Sequence, residues 1–183
     1  MRDPKAARER HGAAAEARVE SLLRKQGVPV LGQVFVEHDG RLTEIDHLAL
    51  IGSQIWIIET KGWAGSISGT AEAELWRQRN HGQTKEHGNP LWQNQRHGRA
   101  LAANYPDASF RQAVIFTDAA FRDGKPAGVF GVTGFVGVMK AERRGVPAEA
   151  TARAWGALIA LYERQDRDEM RRRHGAQRGA SPG

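Results

Sequence analysis

The segment IDHLALIGSQIWIIETK, residues 45–61, decides how the rest of the chain folds. It contains two apolar runs, 45–51 and 55–60, which are rich in isoleucine and typical of buried strands. The pair Gly52-Ser53 separates the two runs, and a glycine-serine pair there is typical of a two-residue hairpin loop. The segment therefore predicts an antiparallel hairpin, around which the other elements can be placed.

The register of this hairpin brings two acidic residues together. A two-residue loop pairs Ile51 with Gln54, and the same register places Asp46 opposite Glu59. Opposed Cβ atoms lie about 4.5–5.5 Å apart, so two carboxylates there repel each other, and a bound divalent cation would remove the conflict. Lys61 projects from the face of Glu59, where it could hold an attacking water or neutralise charge on a phosphate. This set suits metal-assisted phosphodiester cleavage, although a surface ion pair between Glu59 and Lys61 is an open alternative.

Patterns on either side of the hairpin predict an α/β domain with a mixed sheet. The predicted elements are, in chain order, a helix at 5–26, a strand at 30–38, the two hairpin strands, loops with an edge hairpin around 66–76, a helix at 91–104, a strand at 112–117, a short strand within 129–138 and a last helix that begins at Pro147. No internal repeat interrupts this order.

Length and composition predict one ordinary globular domain. The chain has 183 residues, and its 27 Lys and Arg against 21 Asp and Glu give a net charge of +6. With no cysteine, disulfides and cysteine-bound zinc are excluded, and no apolar run reaches the roughly 18 residues of a membrane span. The start of the chain is too charged for a secretory signal, so we expect a cytoplasmic protein without a membrane partner. We expect one domain at 1–173 and a flexible basic tail at 174–183.

Three blocks of the sequence resemble one known family. The stretch TEIDHLALIGSQIWIIETKGWAGSISG, residues 43–69, resembles the central segment of the nuclease-related domain, NERD, a family similar to the PD-(D/E)XK nucleases. The block from His11 to Glu16 resembles the N-terminal helix of that family, and NPLWQNQRHGRAL, residues 89–101, resembles its Asn-Pro…Gln helix. The resemblance covers about residues 12–117, with one departure, since the family usually has glycine where this chain has Ala15.

The resemblance implies a restriction-endonuclease-like fold, in which helices flank a mixed central sheet. It also implies a nuclease that depends on Mg²⁺ or Mn²⁺ and hydrolyses DNA, with a role in DNA repair or processing. Asp46 and Glu59 would bind the metal and Lys61 would be catalytic. Glu16 would be an accessory acid, and Gln93 would lie at the edge of the site.

The window 77–99 contains five basic residues and a single acid, Glu86, with Trp92 inside it and Trp76 directly before it. This mixture suits contact with phosphates together with base stacking, although a solvated loop is the alternative. The predicted nucleic-acid-binding residues are Trp63, Arg77, Arg79, Lys85, Arg96 and Arg99. DNA is the expected partner.

Two nearby histidines are not assigned to the site. Strand periodicity turns His47 away from Asp46, which predicts a partly buried structural histidine. His97 shares a helical face with Gln93, but the polar face of a helix usually faces solvent.

Two other classes of function stay open on the residues alone. One is a non-catalytic nucleic-acid-binding module of the same fold, and the other is a regulatory protein whose basic tail docks an acidic partner or a membrane surface. A protein that only binds phosphate gains nothing from opposed carboxylates, so Asp46 and Glu59 favour the nuclease. Melting with and without Mg²⁺ or Mn²⁺ would discriminate these classes.

Overall fold

The computed structural model describes residues 4–179, with side chains from residue 10 onwards apart from that of residue 178. Within this range the chain forms five helices and nine strands. In chain order they are α1 (Pro4–Lys25), β1 (Val30–His38), β2 (Arg41–Ile51), β3 (Gln54–Lys61), β4 (Gly65–Ser68), β5 (Leu75–Asn80), β6 (Gln83–Gly88), α2 (Pro90–Asn104), β7 (Phe110–Phe116), β8 (Ala119–Phe121), β9 (Val129–Gly131), α3 (Val132–Glu142), α4 (Glu149–Arg164) and α5 (Arg167–Gly179). None of the described helices is both long enough and apolar enough to cross a membrane.

The central sheet has the strand order β1-β2-β3-β7-β9. Strands β1, β2 and β3 are antiparallel neighbours, whereas β7 pairs with β3, and β9 with β7, in parallel. Parallel neighbours need a long crossover connection, and α2 lies in the one between β3 and β7. The sheet is therefore mixed and flanked by helices, which confirms the predicted α/β class and the restriction-endonuclease-like architecture.

Helices cover both faces of the central sheet. On one face, Ile55 and Ile57 of β3 lie in a core with residues of α2 and with Leu158 of α4. On the other face, Trp56 and Ile58 lie in a core with residues of α1 and α3. This alternation is what a strand buried on both faces requires, and it turns the side chain of every second residue of β3 towards α2.

The predicted hairpin is present, with its turn at Gly52. The register begins at Ile51–Gln54, as predicted, and continues for five pairs. Gly52 has a φ of +59°, and a Cβ there would lie 2.0 Å from the carbonyl oxygen of Glu142 at the end of α3. Both the turn and the packing of α3 therefore require glycine at this position.

A second sheet, ordered β6-β5-β4-β8, lies beyond the end of β3. Residues 62–64 link β3 to β4, so the chain passes directly from one sheet to the other. Trp76 of β5 stacks on Phe116 of β7 with 6.1 Å between ring centroids, which joins the two sheets through a shared core. The predicted edge hairpin is the β4–β5 pair of this sheet.

The short strand predicted within the glycine-rich stretch 129–138 is present at 129–131, but the remainder of the stretch begins α3, a helix that was not predicted. Glycine lowers helix propensity, so the stretch has little helical signal of its own. Phe135 and Met139 are four residues apart and both are buried in the core beneath α3. This packing, which the local sequence does not reveal, stabilises the helix.

The predicted last helix is present as α4, and a further helix, α5, follows it after a break at Gln165. The side-chain amide of Gln165 donates to the carbonyl of Phe35 and accepts from its N–H, which ties the break to β1. Asp166 then accepts from two backbone N–H groups in the first turn of α5 and caps that helix. Residues 174–179, predicted as part of a flexible tail, are helical in α5, and residues 180–183 lie outside the described residues.

Candidate active site

The end of β3 opens into a cleft of about 940 Å³. The cleft is bounded by α2, by the β1–β2 hairpin and by α5. Its charged and polar lining residues are His38, Asp39, Arg41, Thr43, Glu44, Lys61, Gln93, Arg96, His97, Arg99, His174 and Gln177. Lys61 and Gln93, both predicted for the site, thus lie in one concave surface with a basic wall.

Asp46 lies just beyond the regular ladder between β2 and β3. The register ends one pair before the predicted pairing of Asp46 with Glu59. In place of a ladder bond, the backbone N–H of Thr60 donates to Asp46 Oδ2 at 2.7 Å. The pairing of β2 with β1 is interrupted at the same position, because Asp46 lies opposite Gln33 without pairing with it, and Gln33 has a φ of +55°. Such an irregularity aims side chains away from the regular pleat, and here the carboxylate of Asp46 is held against the end of β3.

Glu59 is buried on the side of β3 that faces α2, with 1% of its surface exposed. Lys61 Nζ donates to Glu59 Oε1 at 2.5 Å and to Gln93 Oε1 at 3.0 Å. His97 Nε2 lies 3.3 Å from Glu59 Oε2, although the angle of this contact departs from that of a hydrogen bond. The structure therefore brings three of the predicted site residues into one connected group and adds a histidine to it.

Burial and neighbouring charges give the two central carboxyl groups opposite pKa shifts. Burial raises the pKa of Asp46 well above its usual range, and the negative charges of Glu59 and Glu16 raise it further. Burial would also raise the pKa of Glu59, but Lys61 and His97 outweigh burial and lower that pKa. Glu59 therefore has a counter-charge that outweighs its burial, whereas the charge of Lys61 does not outweigh burial and the neighbouring acids at Asp46, so a cation beside Asp46 would be bound favourably.

Glu16 of α1 lies at the margin of the site. Burial raises its pKa, a hydrogen bond from Gln33 Nε2 at 3.5 Å lowers it, and the charge of Glu44 raises it again. Ala15 is buried beside Gly62, where a Cβ would lie 3.1 Å from the Cβ of Ala15. Alanine at position 15 therefore fits, and it leaves Glu16 turned towards the sheet.

The predicted nucleic-acid-binding residues fall into separate groups. Arg96 and Arg99 lie on α2 and line the cleft. The other three cations lie on the β5–β6 hairpin of the second sheet and do not line it: Arg77, Arg79 and Lys85. The ring of Trp63 stacks on His87 with 4.0 Å between centroids, so its face contacts the protein itself. The structure thus brings two of the six residues to the cleft.

Three further residues line the cleft that the sequence did not assign to the site, namely Thr43, His97 and His174. Thr43 Oγ1 lies 2.7 Å from His97 Nδ1, and His174 Nδ1 of α5 lies 3.3 Å from a carboxylate oxygen of Glu44. The spacing of four between Gln93 and His97 is the one signal that could have joined His97 to the site. Thr43 and His174 carry no such signal, because their contacts join parts of the chain that are far apart in sequence.

The donor groups at the end of β3 suit a hard divalent cation. No group of three or more His, Cys, Asp or Glu side chains that could hold a metal is found among the described residues. Mg²⁺, however, commonly binds one or two carboxylates and completes its shell with water and substrate phosphate. Glu59 Oε2 is buried without a hydrogen-bond partner in the described part of the chain, and burial and neighbouring acids outweigh the charge of Lys61 at Asp46. The two carboxylates therefore fit Mg²⁺ or Mn²⁺.

The chain is similar to two curated proteins that are much longer than the shared region. It is 31% identical over 138 residues to "Probable kinase PglW" of Streptomyces coelicolor, and the aligned region covers 68% of this chain and 9% of that protein. It is 32% identical over 94 residues to an uncharacterised protein of Bacillus anthracis, which covers 49% of this chain and 44% of the other. The chain thus spans less than half the length of either relative, and no solved structure matches it significantly.

The family comparison covers the part of the chain that builds the site. Residues 11–117 match the nuclease-related domain. This region is more than half of the chain, and it contains both central carboxylates and the Lys61 that binds one of them. The chain therefore belongs to the nuclease-related domain family.

Proposed function

We propose that the chain is a metal-dependent nuclease that hydrolyses phosphodiester bonds in DNA. The observation that carries this proposal is the meeting of Asp46, Glu59 and Lys61 at the end of β3. Two ionised carboxylates without an ion would be a costly arrangement in so buried a place, because burial and the neighbouring acids outweigh the charge of Lys61 at Asp46. A site for Mg²⁺ or Mn²⁺ explains why both acids lie there, and the family membership supports nuclease chemistry.

Each side chain of the site has a definite task in this proposal. Asp46 and Glu59 hold the cation, which when bound supplies positive charge to the phosphate oxygens. Lys61 already has its ammonium group within the site, where it orients the attacking water or stabilises the negative charge that develops on the phosphate oxygens. Gln93 accepts a hydrogen bond from Lys61 Nζ and fixes its direction. Arg96 and Arg99 bind neighbouring phosphates along the strand.

A non-catalytic nucleic-acid-binding module is the second candidate. The contact that favours it is the ion pair of Lys61 with Glu59 at 2.5 Å, which balances one acid without any ion. In that case Asp46 would stay protonated in its buried position, in keeping with its raised pKa. The two candidates differ in whether a divalent cation binds.

Melting and cleavage measured on the same variants separate the two candidates. The nuclease should be stabilised by Mg²⁺ or Mn²⁺, by about 2.7 kcal/mol when the ion is at 100 times its Kd. Asp46→Asn and Glu59→Gln should lose this stabilisation and at least about 100-fold in cleavage of linear, circular or single-stranded DNA. Lys61→Ala should lose cleavage to a similar extent but keep the stabilisation, because it leaves both metal ligands in place.

Glu72→Gln is the matched control, because Glu72 is an exposed acid in the β4–β5 connection. It should behave as the parent in both assays. Cleavage at the parental rate by Glu59→Gln would contradict the proposed site. Full nucleic-acid binding without cleavage or ion-dependent melting in the parent would favour the non-catalytic module.

A further inference from the structure

A continuous series of polar contacts runs from β2 through α2 to the end of β3. Thr43 Oγ1 lies 2.7 Å from His97 Nδ1, and His97 Nε2 lies 3.3 Å from Glu59 Oε2. The other oxygen of Glu59 accepts from Lys61, which also donates to Gln93. The side chains of His97 and Glu59 are 6% and 2% exposed, so these contacts are largely shielded from bulk solvent.

The chemistry of Glu59 decides the direction of these contacts. A carboxylate oxygen repels the lone pair of an unprotonated ring nitrogen, so the nitrogen that lies 3.3 Å from Glu59 Oε2 is the one that carries a proton. In a neutral imidazole the other nitrogen is then an acceptor, and the hydroxyl of Thr43 must donate to His97 Nδ1. Thr43 thus selects the tautomer whose proton lies on Nε2, the ring nitrogen that is 3.3 Å from Glu59 Oε2.

We infer that Thr43 and His97 are positioning residues, which hold Glu59 in the orientation that binds the divalent cation. This inference rests on the proposed function, because it needs Glu59 to be a metal ligand. Each carboxylate oxygen can accept more than one hydrogen bond or ligand contact, so Glu59 Oε2 can face His97 and still reach a cation. Groups that orient a ligand in this way typically change metal affinity by about 10–100-fold when they are removed.

The deciding experiment is a calorimetric titration of the full chain with Mn²⁺ in the absence of nucleic acid. Thr43→Val keeps the shape of the side chain but removes the hydroxyl donor, and we expect the Kd for Mn²⁺ to rise about tenfold or more. Thr43→Ser restores the donor and should return the Kd close to that of the parent. Thr84→Val, at an exposed position of β6, is the control and should leave the Kd unchanged.

A second pair of variants tests the histidine itself. His97→Gln retains an N–H donor near Glu59 and should bind Mn²⁺ within a few fold of the parent, whereas His97→Leu should bind about tenfold or more weakly. If His97 had a purely structural role, both variants would melt at a lower temperature without metal. Their Kd for Mn²⁺ would then not depend on whether residue 97 carries an N–H donor. If His97→Leu does not fold, the Thr43 pair still decides.

Two results would overturn the inference, and they have different meanings. An unchanged Kd in Thr43→Val, with a parent whose Mn²⁺ binding is abolished by Glu59→Gln, removes the inference and leaves the proposed function intact. A parent that binds no Mn²⁺, or that binds it equally well as Glu59→Gln, removes the proposed function and the inference together.

Discussion

His47 is a buried histidine whose environment disfavours its charged form. It is 2% exposed, and burial lowers its pKa to about 4. In the unfolded chain the pKa is about 6.5, so between these values the unfolded state binds the proton more strongly. The free energy of unfolding should therefore fall as the pH drops through this window, by up to about 3 kcal/mol from His47 alone.

His47→Gln should remove this part of the acid sensitivity. We expect the free energy of unfolding of the variant to change less between neutral pH and about pH 4 than that of the parent, as measured by urea unfolding in chelator. His81→Gln, at an exposed turn, is the control and should keep the parental dependence on pH. Identical pH profiles for the parent and His47→Gln would show that His47 does not titrate as described.

Single residues also show where sequence reasoning stops. Strand periodicity places Lys61 on the face of Glu59, and the structure confirms this with their 2.5 Å contact. The same periodicity cannot show that Gln93 accepts from Lys61, or that His97 reaches the other oxygen of Glu59. Both contacts depend on how α2 crosses the sheet, which is a property of the packed fold.

At the level of elements, the β2–β3 turn is fixed by two independent constraints. Gly52 and Gly40 both have positive φ, but a Cβ at Gly52 would lie 2.0 Å from the backbone of Glu142, whereas one at Gly40 has nothing within 4 Å. Gly40→Ala should therefore cost about 1 kcal/mol for its backbone conformation alone. Gly52→Ala should cost about 2 kcal/mol more, because the end of α3 has to move.

Urea unfolding of the two alanine variants checks this difference. Gly40→Ala serves as the matched control, since it has the same change of residue and the same sign of φ. Equal losses of stability would mean that α3 moves away from the turn without cost. A larger loss at Gly40 would contradict the packing described.

The elements differ in how well their own sequences specify them. The hairpin register follows from strand composition and a two-residue loop, both of which are local, and the structure confirms it. The beginning of α3 could not be predicted, because its glycines lower the helix propensity of the local sequence. The helix is stabilised by the burial of Phe135 and Met139 in the tertiary structure. The break at Gln165 depends on the backbone of Phe35, which is 130 residues away along the chain.

At the scale of the whole molecule, arginines lie in more than one region. Arg96 and Arg99 line the cleft, whereas Arg143 and Arg144 are exposed beyond the end of α3 and do not line it. Only the first pair should contact a nucleic acid strand that enters the site. Replacing Arg96 and Arg99 together with alanine should weaken binding and reduce the salt slope of log K by about 1 to 2, since each phosphate contact contributes about 0.7–0.9.

The same double replacement at Arg143 and Arg144 is the control for the change in net charge. Its salt slope should stay that of the parent, measured by fluorescence anisotropy on labelled DNA at several salt concentrations. Equal reductions in both double variants would indicate that the total charge, and not the cleft, governs binding.

The sequence could predict the central sheet but not how the whole molecule surrounds the cleft. Family resemblance ends near residue 117, and α5 lies beyond it. Gln177 Oε1 of α5 accepts from the N–H of Leu42 at 2.9 Å, and His174 pairs with Glu44. These contacts join polar residues that are distant in sequence, so no periodic pattern predicts them. They place α5 along one wall of the cleft.

The ion pair of Lys61 with Glu59 has a practical consequence for anyone who handles the protein. Glu59 carries its own counter-charge, so the fold does not rely on a metal to neutralise that acid. Dialysis against a chelator should leave the circular dichroism spectrum unchanged, and if the proposed nuclease activity holds, returning Mg²⁺ should restore the full cleavage rate. Irreversible unfolding in chelator would show that the metal is a structural component. If the recovery is complete, the protein can be purified and stored in an inactive state and started at a chosen moment, as time-resolved experiments on DNA cleavage require.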